Sequence, residues 1–150
     1  MEQAIQLAIE NVRSGRGGPF GALVVRGNDL VATGVNLVTA INDPTAHAEV
    51  VAIRAACEKL GKFQLSDCEI YTSCEPCPMC LGAIYWARPT KFYYACNRHA
   101  AALAGFDDAF IYDELCLLPE RRSIPGHRLS PELSNKPFEE WAKAASKISY

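Results

Sequence analysis

Three side chains in this sequence have the types and spacing of metal ligands. His47 lies in His47-Ala48-Glu49, and two cysteines follow in Cys77-Pro78-Met79-Cys80. One imidazole and two thiolates bind Zn²⁺ at about 2.0–2.1 and 2.3 Å and occupy three corners of a tetrahedron. Structural zinc sites use four protein ligands, whereas three-ligand sites leave a position for water and are catalytic. The spacing therefore predicts a catalytic zinc site held by His47, Cys77 and Cys80.

Glu49 is the candidate proton carrier beside this metal. Residues two apart on a helix point about 200° apart, so His47 and Glu49 converge only beyond the N-terminal end of a helix. The same geometry applies to the two cysteines, because Pro76 and Pro78 are typical of the start of a helix. We expect two helix N-termini that meet at one ion, with Glu49 as an unligated carboxylate that transfers protons.

Cys74 leaves an alternative open for this site. With Cys77 and Cys80 it forms C-x-x-C-x-x-C, and as a fourth ligand it would give a closed, structural zinc site. Such a site has no need of Glu49 two residues after the histidine. A redox pair in C-x-x-C is a further alternative. Four other cysteines have no partner at ligand spacing and are expected to be core residues, namely Cys57, Cys68, Cys96 and Cys116.

Length and composition indicate a globular protein with one domain over residues 1–150. The chain is 49% hydrophobic and 21% charged, close to the averages for globular proteins and unlike a disordered chain. The N-terminus lacks the basic and apolar regions of a secretion signal. No apolar run is long enough to span a membrane. We therefore expect a cytoplasmic protein whose seven cysteines are thiols and metal ligands.

The charge of the chain disfavours a nucleic-acid partner. Fifteen basic and 17 acidic side chains give a net charge of −2, whereas proteins that bind phosphate backbones usually carry a basic excess. The basic group at residues 121–128 is typical of a solvated face. A small-molecule substrate is expected.

Alternating helices and strands must position the candidate site. Apolar periodicity predicts helices over residues 5–12, 46–60, 79–87, 100–104 and 137–148. It predicts strands over residues 22–26, 30–35, 68–73 and 91–95, the first two of which form a hairpin. This alternation favours an α/β fold, a three-layer α/β/α sandwich with a central mixed five-stranded sheet.

On these motifs the chain resembles the cytidine-deaminase-like superfamily and, within it, the small bacterial guanine deaminases. The H-x-E and P-C-x-x-C motifs are the signature of the zinc deaminases as a whole. The likeness to the guanine deaminases rests on Gly18-Pro19-Phe20-Gly21-Ala22, residues 42–50, residues 71–87, Gly105-Phe106-Asp107-Asp108 and the terminal Tyr150.

The resemblance implies hydrolysis of guanine to xanthine and ammonia, with one zinc ion per subunit and Glu49 as the catalytic residue. The candidate substrate-binding residues that it implies are Asn36, Asp107, Asp108, Phe20, Trp86 and Tyr150. Asp108 is favoured over Asp107 as the acceptor for the amine. The resemblance also implies a homodimer, with an exchange of C-terminal segments that brings Tyr150 to the partner's pocket.

Two other functions stay open at this point. The first is a deaminase of guanosine, of another aminated ring, or of adenosine in tRNA, although the last of these favours a basic surface that a net charge of −2 does not supply. The second is a non-catalytic module that zinc stabilises, in which Glu49 would have no role.

Overall fold

The computed structural model describes residues 1–106 and 108–149. The predictions for Asp107 and Tyr150 therefore lie outside the described residues. The chain divides into two compact units, Met1–Tyr112 and Asp113–Tyr150, and the prediction of one domain over residues 1–150 stays a prediction. In the described part of the chain, no helix is long and apolar enough to cross a membrane.

The first unit contains the predicted strands and most of the predicted helices. Its elements are, in chain order, α1 (Glu2–Arg13), β1 (Gly21–Arg26), β2 (Asp29–Val35), α2 (Val38–Ile41), α3 (Ala48–Leu60), β3 (Glu69–Cys74), α4 (Pro78–Ala87), β4 (Lys91–Cys96) and α5 (Arg98–Leu103). The chain continues through α6 (Ala109–Leu115), a 3-10 helix (Pro119–Arg121) and α7 (Lys136–Lys143). Neither α2 nor α6 is among the helices predicted from the sequence.

The sheet has four strands among the described residues, in the order β2-β1-β3-β4. β1 is antiparallel to β2 and β3, whereas β3 and β4 are parallel. The sheet is therefore mixed, as predicted, but the prediction of five strands is wrong. Residues 98–115 are rich in alanine and poor in β-branched residues, so after β4 the chain forms α5 and α6, and its described residues add no further strand.

Two glycines allow helices to approach both faces of this sheet. A Cβ atom at Gly21 would clash with the carbonyl oxygen of Ala4 in α1, and one at Gly34 would clash with the carbonyl oxygen of Ala48 in α3. Gly34 pairs with Ala22 across the β1–β2 ladder, so Gly21 and Gly34 face opposite sides. Helices α1 and α3 therefore lie on opposite faces.

Two groups of buried side chains hold α3 and α4 in place. The main core includes Ala22, Val24, Ala52, Leu65, Ile70 and Ile84, and burial of one large aliphatic side chain contributes about 1.5–3 kcal/mol. A smaller cluster joins Val50 of α3 to Cys77 and Cys80. This packing brings the first turns of α3 and α4 together.

Candidate metal centre

The potential zinc ligands lie at two helix N-termini. His47 is the N-cap of α3, and Cys77 is the N-cap of α4; both have extended backbones, with φ of −70° and −65°. Pro78 follows Cys77 in the first turn of α4, where proline is well tolerated because no N–H is needed. The backbone N–H of Cys80 donates to the sulfur of Cys77 at 3.5 Å. The expected meeting of two helix ends is confirmed.

The distances between the three donor atoms fit a tetrahedral zinc site. The Nδ1 atom of His47 lies 3.6 Å from the sulfur of Cys77 and 3.5 Å from that of Cys80. Zinc bonds of about 2.05 Å to nitrogen and 2.3 Å to sulfur, at a tetrahedral angle, would separate the two ligand atoms by about 3.6 Å. The donor set is therefore already arranged to bind zinc through Nδ1 of His47.

Cys74 does not belong to this donor cluster. The cluster that the described residues form comprises His47, Cys77 and Cys80. The thiol of Cys74 instead lies 3.6 Å from the carbonyl oxygen of Asn97, and burial raises its pKa to about 11. The geometry favours the three-ligand site over the closed alternative.

The pKa values of the two potential cysteine ligands are shifted in opposite directions. The thiol of Cys80 lowers the pKa of Cys77 to about 4 by hydrogen bonding to its sulfur, and His47 adds to the effect against the opposing influence of burial. The same hydrogen bond, together with burial, raises the pKa of Cys80. A cation coordinated by both sulfurs would favour the thiolate form of each.

Glu49 lies beside the donor cluster in a buried position. Its side chain is 5% exposed, and Oε1 accepts a hydrogen bond from the hydroxyl of Thr72 in β3 at 3.3 Å. Its Oε2 atom lies 3.5 Å from the sulfur of Cys80. Burial is the main cause that raises the pKa of Glu49. The carboxyl group is thus held at a fixed orientation next to the potential ligands without being one of them.

A cavity of about 780 Å³ opens onto the donor cluster. The candidate site residues that line it are His47, Glu49, Cys77, Asn36, Phe20 and Asp108. Trp86 does not line this cavity; it lies on α4 with 63% of its surface exposed, and its stacking role stays a prediction. Two of the three potential metal ligands, His47 and Cys77, and three of the candidate substrate contacts therefore line one cavity.

Asn36 is one of the residues that line this cavity. Its side chain is 8% exposed, and its Oδ1 atom accepts a hydrogen bond from the backbone N–H of Val38 at 3.3 Å. Since the carbonyl end is engaged by the protein, the Nδ2 group is left to donate. The wall at Asn36 therefore matches a hydrogen-bond acceptor on a ligand.

Phe106 and Arg98 line the cavity but have no assigned role in the sequence motifs. The ring of Phe106 meets that of Phe20 edge to face, with centroids 5.0 Å apart and an interplanar angle of 88°. A Cβ atom at Gly18 would lie 3.3 Å from Phe106, so the glycine makes room for this pair. Phe106 belongs to the Gly-Phe-Asp-Asp segment, whereas Arg98 has no signal in the sequence.

Comparison with known proteins identifies the class to which this fold and site belong. Residues 1–96 match the family model described as the cytidine and deoxycytidylate deaminase zinc-binding region. The chain therefore belongs to this family of zinc-dependent deaminases, and the predictions of a zinc cofactor and of a cytidine-deaminase-like α/β fold are confirmed.

Within the family, the chain is similar over its whole length to a guanine deaminase. It is 53% identical to the guanine deaminase of Bacillus subtilis (strain 168) over 150 residues, which are 100% of this chain and 96% of that protein. An X-ray structure of guanine deaminase from Bacillus subtilis matches with a TM-score of 0.98 and 54% identity, covering 99% of this chain and 95% of that one.

More distant relatives share only part of the chain. A structure of guanine deaminase from Nitrosomonas europaea matches with a TM-score of 0.68 and 33% identity, over 71% of this chain and 62% of that one. A tRNA-specific adenosine deaminase of Agrobacterium fabrum (strain C58) is 43% identical over 76 residues, 51% of this chain and 50% of that protein.

Proposed function

We propose that this protein hydrolyses guanine to xanthine and ammonia. The observation that carries the proposal is that Glu49 and two of the three zinc donors, His47 and Cys77, line one cavity, in a chain that is similar throughout to a guanine deaminase. Within this proposal, Glu49 is the catalytic residue, and the zinc ligands are His47, Cys77 and Cys80.

The proposed mechanism depends on Glu49 as a proton carrier. A bound zinc ion lowers the pKa of water from 15.7 to about 7, which supplies hydroxide at neutral pH. The carboxylate of Glu49 takes one proton from the attacking water and passes it to a ring nitrogen of guanine as the water oxygen bonds to the aminated carbon. It then takes the remaining proton of that oxygen and delivers it to the amine as the carbon–nitrogen bond breaks, which releases ammonia and leaves the carbonyl of xanthine. The hydroxyl of Thr72 lies 3.3 Å from Oε1 of Glu49 and 3.0 Å from the carbonyl oxygen of Cys74.

Guanine offers acceptors and donors that match the polar groups of the cavity. The Nδ2 group of Asn36 donates to an acceptor on the purine edge, and the carboxylate of Asp108 accepts from an amine or a ring N–H. The ring of Phe20, which Phe106 supports, provides an apolar wall for the base. Contacts from Trp86, Asp107 and Tyr150 remain predictions of the family resemblance.

Replacing Asn36 with alanine is expected to raise the KM for guanine about tenfold and to change kcat by less than about threefold. The variant loses one neutral hydrogen bond to the base, which contributes up to about 1.5 kcal/mol, or about a tenfold change in binding, and such a contact acts equally on bound substrate and transition state. Steady-state kinetics with guanine measure both constants. Asn28→Ala removes the same group from the exposed turn between β1 and β2 and should leave KM unchanged; an unchanged KM in Asn36→Ala would exclude the contact.

Two observations weigh against adenosine in tRNA as the substrate. The net charge of −2 does not favour a phosphate backbone, and the tRNA-specific relative matches about half of this chain. Guanosine is the nearer alternative, because it differs from guanine only by a ribose. Whether the ribose fits depends on the C-terminal segment, which is proposed to close the pocket.

A substrate panel tests the assignment directly. Zinc-loaded protein is incubated with guanine, guanosine, adenine, cytosine and cytidine while released ammonia is measured. We expect guanine to have the highest kcat/KM, and the ammonia to be matched by an equal amount of xanthine. Ammonia from cytosine or guanosine in preference to guanine would reject the substrate and leave the zinc chemistry in place.

We further propose a cytoplasmic homodimer whose single 1–150 domain is a three-layer α/β/α sandwich and whose C-terminal segments are exchanged. The second unit supports the exchange, since no described residue from 113 to 149 is buried. Its exposed apolar side chains include Leu129, Leu133, Phe138, Trp141 and Ile148. Apolar surface of this extent is typical of a segment that packs against another chain.

A further inference from the structure

Asn11 connects helix α1 to the loop and strand end that border the candidate purine site. Its side chain is 3% exposed. The Nδ2 group donates to the carbonyl oxygen of Gly18 at 2.9 Å and to that of Asn36 at 2.8 Å. One amide group therefore holds two segments that are far apart in the sequence.

The orientation of this amide follows from its two partners. Both are carbonyl oxygens, so the opposite orientation would place Oδ1 against two acceptors and lose both hydrogen bonds. In the orientation that makes the bonds, Oδ1 is buried and has no partner among the described residues. A buried acceptor without a partner costs free energy that an apolar side chain would avoid. We therefore attribute to Asn11 the positioning of the carbonyl groups of Gly18 and Asn36.

Three contacts restrict the backbone of Asn36. Asn11 binds its carbonyl oxygen, and its N–H donates to the carbonyl oxygen of Phe20 at 3.2 Å. A Cβ atom at Gly17 would clash with that same carbonyl oxygen of Asn36, so the loop packs directly on it. These contacts leave little freedom for the backbone from which the Asn36 side chain projects into the cavity.

We infer that Asn11 is a positioning residue for the purine site, because it sets the backbone of Asn36 and of the loop at residues 17–20, which together form one wall of the cavity. The inference rests on the proposed function, in which Asn36 donates a hydrogen bond to guanine. Asn11 itself does not line the cavity, so it acts on the substrate only through these neighbours.

The test is a double-mutant cycle between Asn11 and Asn36 with guanine as substrate. Asn11→Leu keeps a similar volume and removes both hydrogen bonds. It is expected to raise KM about tenfold in the wild-type background and no more than about twofold in the Asn36→Ala background, because residues that act through one another are not additive. A tenfold rise in both backgrounds would show a general loosening of the fold and overturn the inference, as would an unchanged KM.

Gly17→Ala provides a second route to the same result. The added Cβ atom would clash with the carbonyl oxygen of Asn36 from the loop side. We therefore expect Gly17→Ala to raise the KM for guanine in the wild-type background and not in the Asn36→Ala background. This result tests the inference even if Asn11→Leu does not fold.

Ser14→Ala is the matched control. The Ser14 hydroxyl bonds to the carbonyl oxygen of Asn11, 3.0 Å away, and not to the loop, so its loss should leave KM unchanged. Failure of the wild-type protein to release ammonia from guanine would instead contradict the proposed function.

Discussion

Replacing Glu49 with glutamine is expected to lower kcat for guanine about 10³-fold while the protein keeps its fold and its zinc. Glutamine has nearly the same volume, and its amide oxygen still accepts the hydrogen bond from Thr72. An amide cannot take a proton from water and deliver it to the base, and general acid–base catalysis contributes about 10²–10⁴ to a rate. The loss should therefore appear in the chemical step alone.

Three measurements on Glu49→Gln separate the proposed enzyme from a zinc-stabilised binding module. They are the rate of ammonia release, the zinc content per chain and the thermal midpoint. Glu58→Gln, at an exposed position of the same helix, is the control and should match the wild type in all three. A Glu49→Gln variant that deaminates guanine within tenfold of the wild-type rate would exclude Glu49 as the proton carrier.

Replacing Cys80 with serine is expected to remove both zinc and activity. Cys80 is fully buried and provides one of the three donors. The variant replaces its thiolate with a hydroxyl, which is a much weaker ligand for zinc. Because zinc binds the folded chain, its loss also lowers stability; a metal present at 100 times its Kd stabilises by about 2.7 kcal/mol. The zinc content per chain, the rate of ammonia release and the thermal midpoint should therefore all be lower in this variant than in the wild type.

A chelator and two further cysteine variants complete this experiment. Chelation should abolish activity of the wild-type protein, and added zinc should restore it there but not in Cys80→Ser. Cys57→Ser, at a half-buried position outside the cluster, should keep its zinc. Cys74→Ser should also keep it; a loss of zinc in Cys74→Ser would favour the closed four-ligand site. Full activity of Cys80→Ser would contradict the donor set.

The metal centre could be predicted from the sequence because its chemistry is local. Zinc needs particular donor types, and two ligand motifs that start helices carry their own geometry, with Cys77 and Cys80 in one turn and His47 two residues before Glu49. The strands of the first unit were predictable for a similar reason, since short apolar runs on either side of a turn, as in β1 and β2, need no distant partner to be recognised. The limits of these elements differ from the predicted ones by a few residues, because capping and tertiary packing decide where an element ends.

The tertiary structure alone determined the rest of the site. The hydroxyl of Thr72 reaches Glu49 across the core, and Asn11 reaches Asn36 across the loop, and neither pair has a spacing that predicts contact. The entry of Phe106 and Arg98 into the cavity wall likewise depends on how separate segments pack. Residue types and short spacing thus specify which chemistry is possible, whereas long-range packing decides which side chains surround it, because burial and hydrogen bonding join residues without regard to their order in the chain.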